Sequence, residues 1–175
     1  INVWGVGTNL ATGGSQPALD GVYKLSALRD PGGDWEDKIK LSEQLVKVTN
    51  PGILQTRRYR KRGECVADVL YDVRSQPAAD SLIIDPFDPT KLLTVSSGWD
   101  YNDLLVPIFR DGECVYRSPG LNEMREFMFK SLSEFPLGIK RFFNPHIYAA
   151  GLESSLCYKK LDLIKRIRHQ VSAGV

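Results

Sequence analysis

Hydrophobic and polar residues alternate through the middle of the chain, and this period of two predicts β-strands. The segments with this pattern are residues 21–28, 38–42, 53–60, 64–73, 104–109 and 113–117, with a further short strand at 92–95. The clearest apolar face lies in 64–73, where every second position is apolar: Cys65, Ala67, Val69, Tyr71 and Val73. We therefore expect a β-rich middle in which strands have one buried face.

Short turns between these segments predict that the strands run antiparallel. Lys61-Arg62-Gly63 and Arg110-Asp111-Gly112 each separate two alternating segments, and Asp-Gly is a pair that tight hairpin turns favour. A parallel crossover needs a dozen or more residues, which leaves no room for parallel pairing within residues 21–117.

The last third of the chain changes to a helical period. Apolar residues recur there at three- and four-residue steps: Leu121, Met124, Met128, Leu132 and Phe135. Ser118 and Pro119 precede this helix, and Pro136 ends it. A second helix is predicted over about residues 154–170. The fold class is therefore α+β, with an antiparallel β-rich middle followed by two C-terminal helices.

Composition is that of an ordinary globular protein. The 175 residues are 42% hydrophobic and 25% charged, with a net charge of +2. This charge gives no reason to expect a nucleic-acid or membrane partner. The three cysteines are odd in number and far apart in sequence, which favours a reducing, cytoplasmic compartment over a disulfide framework. Because a strand-like run begins at Ile1, we also expect residue 1 to be an interior point of a longer chain.

Gly5-Val6-Gly7-Thr8 is the best candidate for chemistry in the sequence. It follows an apolar strand directly, and two glycines let the backbone approach a ligand closely. Successive N–H groups in such a turn, together with the Thr8 hydroxyl, could bind phosphate. From residue types alone, a tight turn that binds nothing is the simpler interpretation.

Other candidate residues point to structure more than to catalysis. The basic run Arg57-Arg58-Tyr59-Arg60-Lys61-Arg62 could contact nucleic acid, but a solvated hairpin tip with exposed charges is the expected role. His146 and His169 have no partner at metal-ligand spacing. No catalytic residue and no metal ligand is predicted from the sequence.

Several blocks of residues, taken together, resemble one enzyme family in order and along nearly the whole chain. The blocks are Trp4-Gly5-Val6-Gly7-Thr8-Asn9-Leu10, Gln16-Pro17-Ala18-Leu19, Gly21-Val22-Tyr23-Lys24-Leu25, Lys38-Ile39-Lys40-Leu41-Ser42-Glu43, Lys47-Val48-Thr49, Pro51-Gly52, Leu105-Val106-Pro107-Ile108-Phe109-Arg110-Asp111-Gly112 and Asn144-Pro145-His146-Ile147-Tyr148. They resemble the C-terminal part of the nicotinate phosphoribosyltransferases.

The resemblance implies a fold and a division of the chain. Residues 1–20 would be the end of an α/β barrel, with its last strand and phosphate loop. Residues 21–117 would form a smaller β-rich domain, and 118–175 a C-terminal helical segment. Phosphate loops at the carboxyl ends of strands are usual in barrel enzymes.

The resemblance also implies an activity and a site. These enzymes form nicotinate mononucleotide and diphosphate from nicotinate and phosphoribosyl diphosphate, with hydrolysis of ATP and with Mg, in NAD biosynthesis. Gly5, Val6, Gly7 and Thr8 would hold the ribose 5-phosphate. The expected partners are the two substrates, the upstream barrel portion of the same enzyme and a second copy in a homodimer.

The family's phosphorylated histidine and its nicotinate-binding residues lie upstream of the matching region. This segment alone is therefore expected to be inactive. The alternative is a stand-alone, non-catalytic β-rich module that binds phosphate or another protein.

Overall fold

Strands outnumber helices in the computed structural model, which describes residues 22–44 and 47–173 together with Val3, Gly5 and Gly7. The elements formed by these residues are β1 (Ala27–Leu28), β2 (Glu36–Asp37), β3 (Leu54–Lys61), β4 (Glu64–Asp72), β5 (Leu82–Ile84), β6 (Leu92–Thr94), β7 (Asp100–Asp103), β8 (Phe109–Arg110), β9 (Glu113–Cys114), α1 (Leu121–Ser133), β10 (Ala149–Glu153) and α2 (Ser154–Ala173). The barrel strand expected near the start of the chain lies outside the described residues.

One mixed six-stranded sheet has the order β6-β5-β10-β4-β3-β7. Its neighbours pair antiparallel except β10 and β4, which run parallel from Ala149 opposite Ala67 to Leu152 opposite Leu70. The α+β class is confirmed. The sheet is mixed because β10, a strand that the sequence pattern did not predict, inserts between β5 and β4. The division of the chain at residues 20 and 117 stays a prediction.

The β3–β4 hairpin is confirmed, with a two-residue turn at Arg62 and Gly63. Both residues have positive φ, 53° and 81°, as the turn that matches the twist of a hairpin requires. Cys65, Ala67, Val69 and Tyr71 are each at most 1% exposed, whereas Val73 lies beyond the end of β4 and is 38% exposed. The alternation in this segment therefore did predict the buried face of the sheet.

Both faces of the sheet are covered by apolar side chains. On one face, Val69 of β4 packs with Tyr59 and Ile83, and Trp99 packs against this cluster. On the other face, Leu156 and Cys157 of α2 pack on Leu152 and Ile84. The helix predicted at residues 154–170 is thus confirmed, and its first turn closes the core.

Several of the predicted strand regions are shorter than expected or absent. Of the described residues 22–28, only Ala27–Leu28 form a strand, β1. Residues 38–42 form no strand. The Lys38 N–H donates to the Ser26 carbonyl (2.8 Å) at the end of the β1–β2 pair, and beyond it Lys40 bonds to Thr49. The strand next to them is β2, at Glu36–Asp37. The second hairpin is confined to β8 and β9, since Pro107 has no N–H to offer a neighbouring strand.

Helix α1 is confirmed over Leu121–Ser133, but none of its residues is buried. Its apolar positions include Leu121, which is 80% exposed, and Met128, which is 42% exposed. The three- and four-residue spacing therefore predicted the helix correctly. The apolar side of α1, which such spacing usually places in a core, is not buried against any described residue.

Candidate functional site

Three Lys-x-Ser/Thr tripeptides line one groove of about 620 Å³. They are Lys24-Leu25-Ser26, Lys40-Leu41-Ser42 and Lys47-Val48-Thr49, and each contributes its lysine and its hydroxyl residue to the lining. Residues 24–26 and 40–42 lie outside the strands, and Lys47 lies in a 3-10 turn. None of the described lining residues is acidic. Three exposed lysines therefore border a groove whose lining surface is mostly apolar.

Hydrogen bonds link two of the tripeptides directly and attach the third to residues next to them in sequence. The Lys40 N–H donates to Thr49 Oγ1 at 2.8 Å, and the Thr49 N–H donates to the Lys40 carbonyl at 3.2 Å. The Ser26 carbonyl accepts from the N–H groups of Lys38 and Gly52, both at 2.8 Å. These hydrogen bonds therefore fix the positions of the main-chain segments to which the lysines belong.

The wall of the groove is tied to helix α2. Lys160 Nζ donates to Asn50 Oδ1 at 2.9 Å, and Asn50 is a lining residue. Burial lowers the pKa of the Lys160 ammonium, since the charged form is poorly solvated there. Through this contact the groove connects to a helix that packs against the sheet.

A buried carboxylate, that of Asp72, forms ion pairs close to the groove. Asp72, at the end of β4, is 1% exposed and accepts from Lys159 Nζ at 2.8 Å and from Arg74 Nε at 3.0 Å. Burial acts to raise the pKa of Asp72, but the hydrogen bonds from Arg74 and Lys159 outweigh it and hold this pKa below its usual range. Arg74 also pairs with Asp37 of β2. The network links β2, β4 and α2.

Gly52 passes close to this carboxylate. A Cβ added at Gly52 would lie 2.6 Å from Asp72 Oδ2, and its φ is +110°. Only glycine fits here without strain. The Pro51-Gly52 pair therefore has a structural reason next to the groove.

The basic run 57–62 is built differently from the expected solvated hairpin tip. Arg57 lies directly opposite Asp103 of β7, is 6% exposed and donates to that carboxylate at 2.8 Å. Arg58 lies opposite Asp68 of β4 and forms a two-pronged pair with it at 2.7 and 2.8 Å. The cross-strand register thus pairs the Arg57 and Arg58 guanidinium groups with carboxylates. The prediction that these charges are exposed at a hairpin tip was wrong for both residues.

Further contacts surround the two guanidinium groups. The Arg57 group lies 4.1 Å from the centre of the Tyr101 ring. Arg58 lies over the ring of Phe135, and Tyr148 donates to Asp68 at 3.0 Å. Burial raises the pKa of the Tyr148 hydroxyl, and the nearby Asp68 charge adds to this effect. These side chains serve packing between strands.

The predicted phosphate loop falls largely outside the described residues. Gly5 and Gly7 are exposed, and a Cβ added at either would meet no atom within 4 Å. Val6 and Thr8 are among the residues that the structure does not describe. Binding of phosphate by Gly5, Val6, Gly7 and Thr8 therefore stays a prediction.

Sequence reasoning missed the lysine groove. A signal was present: Lys followed two positions later by Ser or Thr occurs at 24, 40 and 47. Residues 21–28 and 38–42 were interpreted by their apolar alternation, and residues 47–49 only as part of the family resemblance.

Within residues 22–44 and 47–173, no group of three or more His, Cys, Asp or Glu side chains could hold a metal ion. None of the described helices has the length and hydropathy of a membrane crossing.

The structure is an α+β domain with a groove bordered by three lysines. Comparison with known proteins identifies its family. The family described as the nicotinate phosphoribosyltransferase C-terminal domain matches residues 55–160. The chain thus belongs to the nicotinate phosphoribosyltransferase family, as the resemblance in the sequence predicted.

Individual relatives agree with this assignment. The chain is 30% identical over 182 residues to nicotinate phosphoribosyltransferase of Bacillus subtilis (strain 168), covering 98% of the chain and 35% of the relative. It is 33% identical over 161 residues to the Caenorhabditis elegans protein of the same name, covering 89% of the chain and 28% of the relative. The chain therefore spans about a third of these relatives.

A solved structure shares the fold. The crystal structure of human nicotinic acid phosphoribosyltransferase superposes with a TM-score of 0.59 at 23% identity. The match covers 76% of this chain and 27% of the human chain.

Proposed function

We propose that this chain acts as the C-terminal domain of a nicotinate phosphoribosyltransferase. The complete enzyme would form nicotinate mononucleotide and diphosphate from nicotinate and phosphoribosyl diphosphate, coupled to hydrolysis of ATP. Family membership supports the reaction, and the lysine groove supports a role in holding its phosphate groups. Because the chain spans about a third of its relatives, the remaining catalytic groups would come from the part it does not span.

The groove would bind the diphosphate end of a substrate or product. The observation that supports this binding is the composition of the lining. It includes Lys24, Lys40 and Lys47 with three hydroxyl residues, and no acidic residue is among the described lining residues. Ammonium groups attract a polyphosphate, and hydroxyl groups donate hydrogen bonds to its oxygens. A magnesium ion would arrive with the phosphates as part of the substrate.

The loop Gly5-Val6-Gly7-Thr8 would hold the other charged end of the sugar, the ribose 5-phosphate. Backbone N–H groups and the Thr8 hydroxyl are suited to a phosphate dianion. With both ends held, binding energy remote from the reacting bond would orient the anomeric carbon towards the pyridine nitrogen.

A titration with inorganic diphosphate tests the groove. Calorimetry on the full chain is expected to show binding that Lys40→Ala weakens about tenfold, the loss of one charge-assisted contact. Lys165→Ala is the matched control, because Lys165 is an exposed lysine on α2 outside the groove. Equal loss in both variants, or no binding at millimolar diphosphate, would remove the groove from the proposal.

A second measurement tests the loop. Thr8→Val keeps the shape of the side chain but removes its hydroxyl. In a chimaera whose C-terminal third is this chain and whose remainder is the Bacillus subtilis relative, KM for phosphoribosyl diphosphate is expected to rise at least about fivefold, since one phosphate hydrogen bond is lost. Thr94→Val, in β6, is the control. An unchanged KM would contradict the assignment of Thr8.

The same chimaera separates the enzyme domain from the alternative, a non-catalytic module. Turnover of nicotinate by the chimaera supports the enzyme domain. A folded chimaera that binds both substrates and forms no product favours the module.

A further inference from the structure

A small cavity of about 200 Å³, which we call the aromatic cavity, lies at the β3–β7 edge of the six-stranded sheet. Its walls come from β3, from β7, from residues 77–79 after β4 and from residues 95–99 after β6. It shares no lining residue with the lysine groove. Because a water molecule takes up about 30 Å³ of liquid, the cavity has room for about six or seven waters, or for one single-ring molecule in their place.

Arg57 is the only charged residue among the described residues that line the aromatic cavity. It is 6% exposed, and Asp103, whose carboxylate accepts from Arg57 Nε at 2.8 Å, is not among the lining residues. Tyr59, Ser96 and Ser97 add hydroxyl groups to the lining. Burial raises the pKa of the Tyr59 hydroxyl, so this group stays a hydrogen-bond donor. A positive charge with several donors, and no acid in the described lining, favours an anionic ligand.

Three aromatic residues, Tyr59, Trp99 and Tyr101, line the same cavity. The ring centres of Tyr59 and Tyr101 lie 5.8 Å apart, and their planes are tilted by 59°. Trp99 packs against the buried cluster that contains Tyr59 and Val95. Aromatic pairs are favourable beyond the area that they bury, in tilted as well as in stacked arrangements. These walls therefore favour a flat aromatic ring over a saturated ring of the same size.

Hydrogen bonds fix the two loops that close the aromatic cavity. The Val95 N–H donates to the Ser81 carbonyl at 2.8 Å, and the Ser97 N–H donates to Asp80 Oδ1 at 3.2 Å. The loop after β6 is thereby joined to the loop after β4. A ligand meets walls that are already in place, which lowers the entropic cost of binding.

We propose that the aromatic cavity binds a single-ring aromatic carboxylate. The ring would contact the aromatic residues of the lining. Asp103 already accepts from Nε and Nη2 of Arg57, so the ligand's carboxylate would accept from Nη1 and from the hydroxyl groups. Nicotinate belongs to this class of molecule, and the cavity would give the domain a second site for it. Only this link to nicotinate rests on the proposed function; the binding of an aromatic carboxylate does not.

A titration of the 175-residue chain with benzoate, followed by NMR, tests this binding. Benzoate is the probe because it is the simplest single-ring aromatic carboxylate. The indole N–H signal of Trp99, identified by its loss in Trp99→Phe, is expected to shift and to saturate below about 10 mM benzoate. Cyclohexanecarboxylate carries the same charge on a saturated ring and is expected to bind about fivefold more weakly. Nicotinate is expected to bind as benzoate does.

Two variants with the same substitution locate the ligand. Ser97→Phe is expected to abolish the shift, because its ring fills the cavity. Ser75→Phe adds the same ring at an exposed position outside the cavity and is expected to leave benzoate binding unchanged. Lys40→Ala, in the lysine groove, is also expected to leave it unchanged. The comparison of benzoate with cyclohexanecarboxylate uses the wild-type chain and does not depend on the folding of any variant.

Four results would overturn the proposal. No shift of the Trp99 signal at about 20 mM benzoate means that the cavity does not take the ring. Equal binding of benzoate and cyclohexanecarboxylate removes the aromatic walls from the recognition. Equal binding in Ser97→Phe and Ser75→Phe places the ligand elsewhere on the chain. Loss of binding in Lys40→Ala assigns the carboxylate to the lysine groove. Because Lys40→Ala is also the variant of the diphosphate titration, failure of the cavity and failure of the groove are distinguishable.

Discussion

The charged carboxylate of Asp72 is buried. Its ion pairs make the free energy of unfolding depend on pH. Its pKa is lowered in the folded chain relative to about 3.9 in an unfolded one. The stabilisation is therefore complete above about pH 4 and is lost as the pH falls through the folded-state pKa. We expect Asp72→Asn to lower the free energy of unfolding at pH 7 by about 2 kcal/mol, a value discounted because Arg74 and Lys159 are partly exposed.

Urea unfolding between pH 7 and pH 2 measures both effects. The wild-type free energy of unfolding is expected to fall below pH 4 more steeply than that of Asp72→Asn. Asp162→Asn, which alters an exposed pair on α2, is expected to follow the wild-type curve. Parallel curves for wild type and Asp72→Asn would show that this carboxylate is not the acid-sensitive group.

Single residues also show where sequence reasoning stops. Arg57 and Asp103 are 46 positions apart, and nothing in either local sequence predicts that β3 and β7 place them opposite each other. The residues of β7, Asp100-Tyr101-Asn102-Asp103, are polar and match a loop by composition. These residues form a strand because β3 pairs with them through backbone hydrogen bonds and places Arg57 beside Asp103.

Strands whose alternation is strong were predictable, and strands set by tertiary pairing were not. The alternation in β4 predicted its buried face. In contrast, β10 reads Ala149-Ala150-Gly151-Leu152-Glu153, with low intrinsic strand preference. It forms because β4 and β5 lie on both sides of it, and a Cβ at Gly151 would collide with the Ile84 carbonyl. Local sequence does not carry that information.

The junction of β10 and α2 depends on one carboxylate. Glu153 ends the strand, and its Oε2 accepts from the Ser155 N–H at 2.7 Å while Oε1 accepts from the Ser154 hydroxyl at 2.8 Å. It thus caps the first turn of α2, where unpaired N–H groups and the helix dipole favour a negative charge. We expect Glu153→Ala to lower the free energy of unfolding by about 1–2 kcal/mol.

Glu153→Gln separates the contribution of the hydrogen bond from the contribution of the negative charge. The amide oxygen can still accept the hydrogen bond but has no charge, so about half of the loss is expected at low salt. Thermal unfolding of the three proteins, with Glu126→Gln as an exposed control on α1, measures it. An equal loss in Glu153→Gln and Glu126→Gln would mean that capping contributes nothing here.

At the scale of the whole molecule, stability is expected to be concentrated in one part of the chain. Strand β4 is paired on both sides, and Leu156 of α2, which is fully buried, closes the core beside it. Residues 104–148, which we call the arm, include no buried residue. Local opening should therefore cost much less free energy in the arm than in β4 and β10.

Hydrogen exchange of the 175-residue chain alone gives the measurement. Peptides covering residues 65–71 and 149–153 are expected to exchange slowest, and peptides within 105–132 at least about a hundredfold faster, equivalent to about 2.7 kcal/mol of opening free energy. Uniform exchange would instead mean that the arm unfolds only together with the sheet, and the arm would then be part of a single cooperative core.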